Sequence, residues 1–366
     1  MAEQTEVRGP ASVDAIDMDA VNAAVGAVVG YMTGAAVIAG INLGERLGLY
    51  RAMAGFGGIS ADELAGRTRT NRRLVREWLD GQTAAGLITY DAAGDQYRLS
   101  DEHALVLANE DSPAFLAGGT SVVEAMYQGL DRMTDAFIGD GGFPWSEQHP
   151  SLFLGTARFF RPGYRTNLVA SWIPALDGVE QKLTERGGRI ADVGCGFGHS
   201  SVVMANAYPL ASVSGFDYHE ASIEAARPIA AEQGLTDRVH YEVADAVSFD
   251  GEFDLICFFD CLHDMGDPVG IARHAATKLA PGGTVLLVEP FALDGRVENH
   301  THPAAALFYH ASTFLCTPNS LSQPVGRGLG AQCGEAGMRA VFAEAGYAHF
   351  RRATETPFNI VYEARL

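Results

Sequence analysis

The sequence predicts an α/β chain: a doubly wound, mainly parallel sheet behind a mainly helical N-terminal domain that contains a winged helix. Three observations predict it. From Arg189 onward, short apolar runs bounded by Gly and Asp alternate with segments of helical period. Between Ser60 and Ser100, two short helical patterns are followed by two β-forming stretches around a polar turn. The length, 366 residues, exceeds one small core and suits two domains.

Residues 1–18 open with MAEQTEVRGP, an acidic start without the basic end and apolar core of a signal peptide, and are expected to be poorly ordered. Val21 to Leu43 then carries no charge and nearly reaches bilayer length, ~20 residues. Its Ala, Gly and Val content, with Asn22, Thr33 and Asn42 interrupting, points instead to a small-residue helix packed on another helix, as across a homodimer.

Ser60-Ala61-Asp62-Glu63 fits a capping box, and Thr70 can cap a second helix over 71–85, with Leu74, Trp78 and Leu79 on one face. Leu87 to Tyr90 and Gln96 to Leu99 read as a hairpin around residues 91–95. Arg67, Arg69, Arg72, Arg73 and Arg76 would suit a DNA-reading helix. Residues 1–110 nevertheless hold nine Lys or Arg against fifteen Asp or Glu. The domain, taken as residues 19–110, is therefore read as a dimerisation element, with a DNA-binding sensor as the competing function.

Residues 111–185 read as mainly helical and rich in aromatics, among them Trp145, Phe153, Tyr164 and Trp172. They are expected to link the domains and wall a substrate cavity, with Tyr164 as a substrate contact. From residue 186 to 366 the strands are expected at Ile190 to Val193, Ser212 to Phe216, Val239 to Val243, Phe253 to Phe259 and Thr284 to Val288. Two final runs, Phe350 to Thr354 and Phe358 to Glu363, would close the sheet as an antiparallel hairpin.

The site follows from what ends these strands. Asp192-Val193-Gly194-Cys195-Gly196-Phe197-Gly198 is a glycine turn between a strand and a helix, but its spacing does not match the pyrophosphate fingerprint. Asp192, before the glycines, would repel a phosphate and attract an ammonium. Asp217 ends the next strand, where an acidic residue reaches ribose hydroxyls. Asp245 ends the third, where a carboxylate can accept from an adenine amino group. Together they describe a site for an unphosphorylated nucleoside that is cationic at one end.

DVGCGFG, SGFDYHEASIEAAR, VADA and LAPGGTVLLVEP resemble the successive motifs of class I S-adenosylmethionine-dependent methyltransferases. That resemblance implies a Rossmann-like, seven-stranded sheet and S-adenosyl-L-methionine as cofactor. It assigns Asp192, Gly194, Gly196 and Gly198 to the methionine part, Asp217 to the ribose and Tyr218 to one adenine face. Asp245 and Ala246 would take the adenine edge, and Phe259 would lie near the sulfonium. The segments FFRPGYR, FFDCLHDMGDP and LGAQCGEAG extend the likeness to actinobacterial winged-helix methyltransferases, whose winged helix looks like a dimerisation element.

For the acceptor, His263 in Cys261-Leu262-His263-Asp264 stands just past the fourth strand, and an ordinary pKa of ~6.5 suits a general base. The LHD element resembles the LHDW segment of plant-type O-methyltransferases, with Met265 in place of the Trp, and implies catalytic roles for His263 and Asp264. No resident metal is expected; a second reading joins His263 and Asp264 to His300, His302 or His310 as a metal site for C-methylation of a 2-oxo acid. Residues 297–332 form an insertion expected to cover substrate, with Phe308, Tyr309 and His310 as contacts.

The net charge of −19 argues against nucleic-acid backbones and anionic lipid as partners and favours a small-molecule acceptor. Five cysteines without paired or zinc-ligand spacing point to a reducing cytoplasm.

Overall fold

The computed structural model describes residues 16–139 and 141–366. The expectation of poor order over 1–18 falls, for residues 1–15, outside the described residues. The chain divides into two units after Ala108.

The first unit begins with α1 (Met18–Arg46), capped by Asp17, whose carboxylate accepts from the backbone of Asp19 and Ala20. α2 (Leu49–Met53), α3 (Ala61–Thr68), α4 (Arg72–Ala84), a hairpin of β1 (Thr89–Asp91) and β2 (Gln96–Arg98), and α5 (Asp101–Leu107) follow. The capping box at Ser60 and Glu63 is present in both directions. Two expectations for α4 need correction. Asn71, not Thr70, caps it, because the Asn71 carboxamide oxygen reaches the backbone N–H of Arg73 and Leu74. The buried face is Val75, Trp78, Leu79 and Gln82, which leaves Leu74 exposed.

Glycines let α1 and α4 meet. A Cβ on Gly44 would lie 2.3 Å from the Trp78 ring, and the Trp78 indole N–H donates to the Gly40 carbonyl at 2.8 Å. The buried residues of α1 are Ile41, Asn42 and Gly44, at its C-terminal end; Val25, Val28, Val29 and Met32 are exposed. Three of the five arginines in the cluster of this unit pair with acids. Arg72 pairs with Asp62 at 2.9 Å, Arg76 with Asp95 at 3.1 Å, and Arg73 with Glu77.

The second unit carries the sheet. Its strands are β3 (Gly188–Val193), β4 (Ala211–Asp217), β5 (Val239–Val243), β6 (Phe253–Phe259), β7 (Leu279–Pro290), β8 (His349–Glu355) and β9 (Asn359–Arg365). Their order is β5-β4-β3-β6-β7-β9-β8, parallel except for β9, which runs antiparallel to both neighbours. Central strands are covered on both faces, so their side chains are apolar without alternation; Val285 to Val288 are fully buried. The chain runs outward from β3 through β4 to β5, then returns to place β6 on the other side of β3. A crevice therefore opens where β3 and β6 end, the position at which such sheets bind ligands.

Helices α6 (Thr120–Gln128), α7 (Leu130–Ile138), α8 (Pro150–Gly163) and α9 (Val179–Glu185) precede the sheet and belong to the same unit as it. Leu168, Trp172, Ile173 and Leu176 enter the core that covers Ile190, Val213 and Leu286, so the aromatic-rich segment is built into this unit. Within the sheet region lie α10 (His199–Ala207), α11 (Glu220–Glu232) and α12 (Pro268–Lys278). After β7 come α13 (Arg296–Asn299), α14 (Ala305–Ala311), α15 (Thr317–Leu321) and α16 (Gly334–Ala345). Two π-helical stretches occur, Tyr164–Trp172 after α8 and Ser312–Cys316 after α14, and Tyr164 of the first lines the crevice. Pro162 lacks the N–H that regular winding would use just before the first of them.

Candidate active site

The turn from β3 to α10 is held open by backbone that favours glycine: φ is +74° at Gly194, +52° at Gly196 and +72° at Gly198. A Cβ on Gly198 would sit 2.1 Å from the Tyr241 hydroxyl, whereas one on Gly196 would meet nothing within 4 Å. The N–H groups of Gly194 and Cys195 both donate to the Phe216 carbonyl, at 2.8 and 3.1 Å, which fastens the turn to the end of β4.

The three strand-end acids take different positions. Asp192 is fully buried beneath the turn; its Oδ2 accepts from the Ser200 and Ser201 hydroxyls at 2.6 Å each, while Oδ1 has no partner. Burial raises its pKa to about 6 against the pull of the two serines. Asp217 accepts from the N–H of Gly196 and of His219, both at 2.9 Å, so it locks the glycine turn while lining the cavity. Asp245 also lines the cavity and closes its own turn through the N–H of Val247 at 3.1 Å.

A cavity of about 220 Å³ lies over these strand ends. Of the residues singled out from sequence, Gly194, Gly196, Asp217, Tyr218, Asp245, Ala246, Phe259, Tyr164 and Asp264 line it. Asp192, Gly198 and His263 stand behind the wall. Tyr164, on the first π-helical turn, meets the Phe259 ring at 5.4 Å, and burial holds its hydroxyl well above the ordinary pKa, so it is a hydrogen-bond donor and no phenolate. Phe153 stacks on His219 at 4.1 Å, and Trp145 meets Phe153 edge-on at 5.7 Å, completing an aromatic wall. Desolvation lowers His199, at the start of α10, to about 4, so it faces the cavity uncharged at neutral pH.

Past β6 the chain turns sharply. Asp260 has φ +51°, its N–H donates to the Val288 carbonyl at 2.8 Å, and its Oδ1 accepts from the Asn359 side chain at 2.7 Å. Its Oδ2 is buried without a partner, and the residue borders the cavity. His263 follows on the 3-10 turn Leu262–Asp264 and is almost wholly buried; its Nδ1 bonds the carboxylate of Glu289, brought from β7. Burial opposes the charged imidazole, but Glu289, aided by Cys316, outweighs it and holds His263 well above its ordinary pKa. Asp264 is the member of the turn that reaches the cavity, and burial lifts it to about 7, against the opposing pull of His263.

The insertion does cover this turn, through residues other than those expected. The Asn319 carboxamide donates to the Asp264 carbonyl at 3.0 Å, the Ser320 hydroxyl to the Met265 carbonyl at 2.9 Å, and the Gly266 N–H donates to Gln323 Oε1 at 2.9 Å. Asn319, Gln323 and Pro324 line the cavity. Phe308 is buried against His302, Tyr309 packs near His300, and His310 is exposed with its ring on the Ala306 carbonyl. None of these three lines the cavity. Nor do His300, His302 and His310 join His263, and among the described residues no three His, Cys, Asp or Glu are grouped to hold a metal. Asp260 lies within the FFDCLHDMGDP segment but was given no role; its own sequence signal was an acid immediately after an apolar strand.

A glycine turn locked by the carboxylate of the next strand thus lies under a seven-stranded sheet of this order. Residues 184–328 match the family model of a methyltransferase domain, and residues 35–109 that of the Rv2258c-like winged HTH domain. The chain thus carries a methyltransferase domain behind a winged-helix domain. It is 36% identical over 146 residues to the 27-O-demethylrifamycin SV methyltransferase of Amycolatopsis mediterranei, a match that spans 39% of this chain and 48% of that protein. Over 93% of the chain, the fold is similar to a putative O-methyltransferase from Nostoc punctiforme and to human N-acetylserotonin methyltransferase in complex with S-adenosylmethionine. Each has a TM-score of 0.69; they are 21% and 18% identical, with 98% and 97% of their own chains covered.

Proposed function

We propose that the chain transfers the methyl group of S-adenosylmethionine to a hydroxyl of a small, largely apolar acceptor. The observation that carries the reading is the cavity itself, which joins the glycine turn, Asp217 and Asp245 to an aromatic wall and a carboxylate at the end of β6. The residues fit the cofactor: the turn leaves room at Gly196, and unpartnered Oδ1 of Asp192 lies under it. Gly194 and Gly196 would border the methionine part, with Asp192 beneath them, Asp217 would take the ribose, and Tyr218, Asp245 and Ala246 the adenine. When bound, the cofactor supplies an electrophilic methyl on a sulfonium.

The chain's own task is to align the acceptor, exclude water and take up the hydroxyl proton. The aromatic wall and the Asn319–Pro324 cover exclude water. For the proton, His263 was the expected base. Its Nδ1 is engaged by Glu289, and Asp264 is the neighbour that opens on the cavity, so we assign the proton to Asp264 with His263 as the residue that positions it. Activity should then rise with pH through about 7 and level off above it.

The test is a product-mass screen with isotopically labelled S-adenosylmethionine over hydroxylated aromatics, beside calorimetry of cofactor binding. Labelled product that disappears in Asp264→Asn, with cofactor affinity kept, supports the assignment. Loss of cofactor binding in the wild-type protein refutes the whole reading.

A second copy of the chain is the partner we propose for α1. This helix is 29 residues long, its most apolar stretch has mean hydropathy 1.8, and only 6% of that stretch is buried by its own chain. Light scattering should give twice the chain mass, falling to one chain in Val25→Glu/Val29→Glu.

A further inference from the structure

We propose that residues 323–330 form a strap that closes the cavity by latching onto Gly266 and lifts to let the cofactor and its demethylated product exchange. This rests on the methyltransferase reading above and concerns access to that same site.

The strap is a thin wall. Gln323 and Pro324 line the cavity, while Pro324, Val325 and Arg327 are exposed to solvent. Its fastening is mostly polar. The Gly266 N–H donates to Gln323 Oε1 at 2.9 Å, and the Arg327 N–H donates to the Gly266 carbonyl at 2.9 Å, so both backbone groups of one residue hold it. The Gly330 N–H donates to the His263 carbonyl at 3.3 Å, and the Arg327 guanidinium meets Glu344 at 3.1 Å on the surface. Leu329 is partly buried against the sheet core. Other walls of the cavity are anchored more deeply: Val193, Phe216 and Phe259 enter the buried cores. Lifting the strap therefore exposes little apolar surface, and water can take over the polar partners it leaves.

The closed latch is both close-fitting and strained. A Cβ on Gly266 would lie 2.5 Å from Gln323 Cβ and 2.6 Å from the Pro324 carbonyl oxygen, so the strap seats there only because no side chain stands in the way. Val325 has φ +72°, where a β-branched residue is an outlier, and at 72% exposed it gains little packing in return. That strain belongs to the closed strap and is released when it lifts. Gly328 and Gly330, at φ +59° and +71°, give the following backbone the freedom to move. Each turnover must replace S-adenosylhomocysteine with S-adenosylmethionine, and this is the wall built to open.

The experiment uses the full chain and two substitutions at residues that do not line the cavity. Val325→Gly relieves the strain and should favour the closed strap roughly fivefold, net of the freedom glycine gains when the strap is open. Gly266→Ala wedges the seat and should disfavour closure about tenfold. Stopped-flow fluorescence of Trp145, which lines the cavity, reads binding and release of S-adenosylhomocysteine. Association and dissociation rates should fall together in Val325→Gly and rise together in Gly266→Ala, leaving Kd within about twofold, because a gate changes access and not affinity. Without added ligand, trypsin cleavage after Arg327, followed by fragment mass, should slow and quicken by the same factors. A change in one rate constant alone, or cleavage after Arg327 that ignores both substitutions, overturns the proposal. Should Gly266→Ala fail to fold, Val325→Gly, a surface change, decides by itself. Absent binding of S-adenosylhomocysteine to the wild-type chain would instead overturn the methyltransferase reading, and the trypsin arm would then judge the strap alone.

Discussion

Replacing Asp264 with Asn should make the protein more stable and less active, by an amount that depends on pH. Burial raises Asp264 from 3.8 to about 7 in the folded chain, while the unfolded chain titrates near 3.8. Below 3.8 both states hold the proton and the side chain costs nothing. Between 3.8 and about 7 the unfolded state releases its proton first, so wild-type stability falls as pH rises; above about 7 the loss is complete. At ~1.4 kcal/mol per pH unit, the full loss is about 4 kcal/mol, reduced to roughly 2 kcal/mol where the cavity admits water. The Asn side chain does not titrate, so Asp264→Asn escapes this loss. Guanidinium denaturation at pH 5 and pH 8.5 should show the variant gaining roughly 1–3 kcal/mol more over wild type at the higher pH. Methyl transfer should be lost at both. A stability profile parallel to wild type would refute the claim that Asp264 is an ionised, desolvated carboxylate at neutral pH.

The glycine turn separates strain from obstruction. Gly196→Ala meets no neighbour, so it should cost only the left-handed penalty, ~1–2 kcal/mol, while calorimetry shows cofactor affinity falling tenfold or more. Gly198→Ala adds displacement of the Tyr241 ring and should lower Tm further than Gly196→Ala. Glu363, 3% exposed, receives both Arg351 and Arg365; Arg351 keeps Asp177 in Glu363→Ala and both guanidiniums reach solvent, so the cost by denaturant melts should be about 1–2 kcal/mol. Asn71→Ala removes the cap of α4 and should cost ~1 kcal/mol without altering the affinity for S-adenosylmethionine.

Much of the fold was legible because it depends on local rules. Interior strands were readable as apolar runs because they are buried on both faces, and Phe253–Phe259 agrees with the structure residue for residue; Val239–Val243, an edge strand that is largely exposed, agrees as well. Local rules failed where two phases were locally equivalent. Leu74 and Val75 are both apolar neighbours on α4, and only tertiary packing selects Val75 for burial. Thr70 and Asn71 are both capping residues, and the backbone conformation decides for Asn71.

The turn and acids proposed to hold the cofactor were legible in sequence alone, because they sit at fixed steps from one turn: glycines that tolerate positive φ, and acids at the ends of successive strands. The acceptor end was decided by tertiary structure. Glu289 lies 26 residues from His263 and reaches it only because β6 and β7 pair. The same pairing holds Asp260 against Val288, and β9 supplies Asn359. Asn319 and Gln323 reach the 263–266 turn through contacts spanning more than fifty residues, which no local pattern encodes. His263, conspicuous in the sequence, is thereby drawn behind the wall, and Asp264 and Asp260 are left facing the cavity.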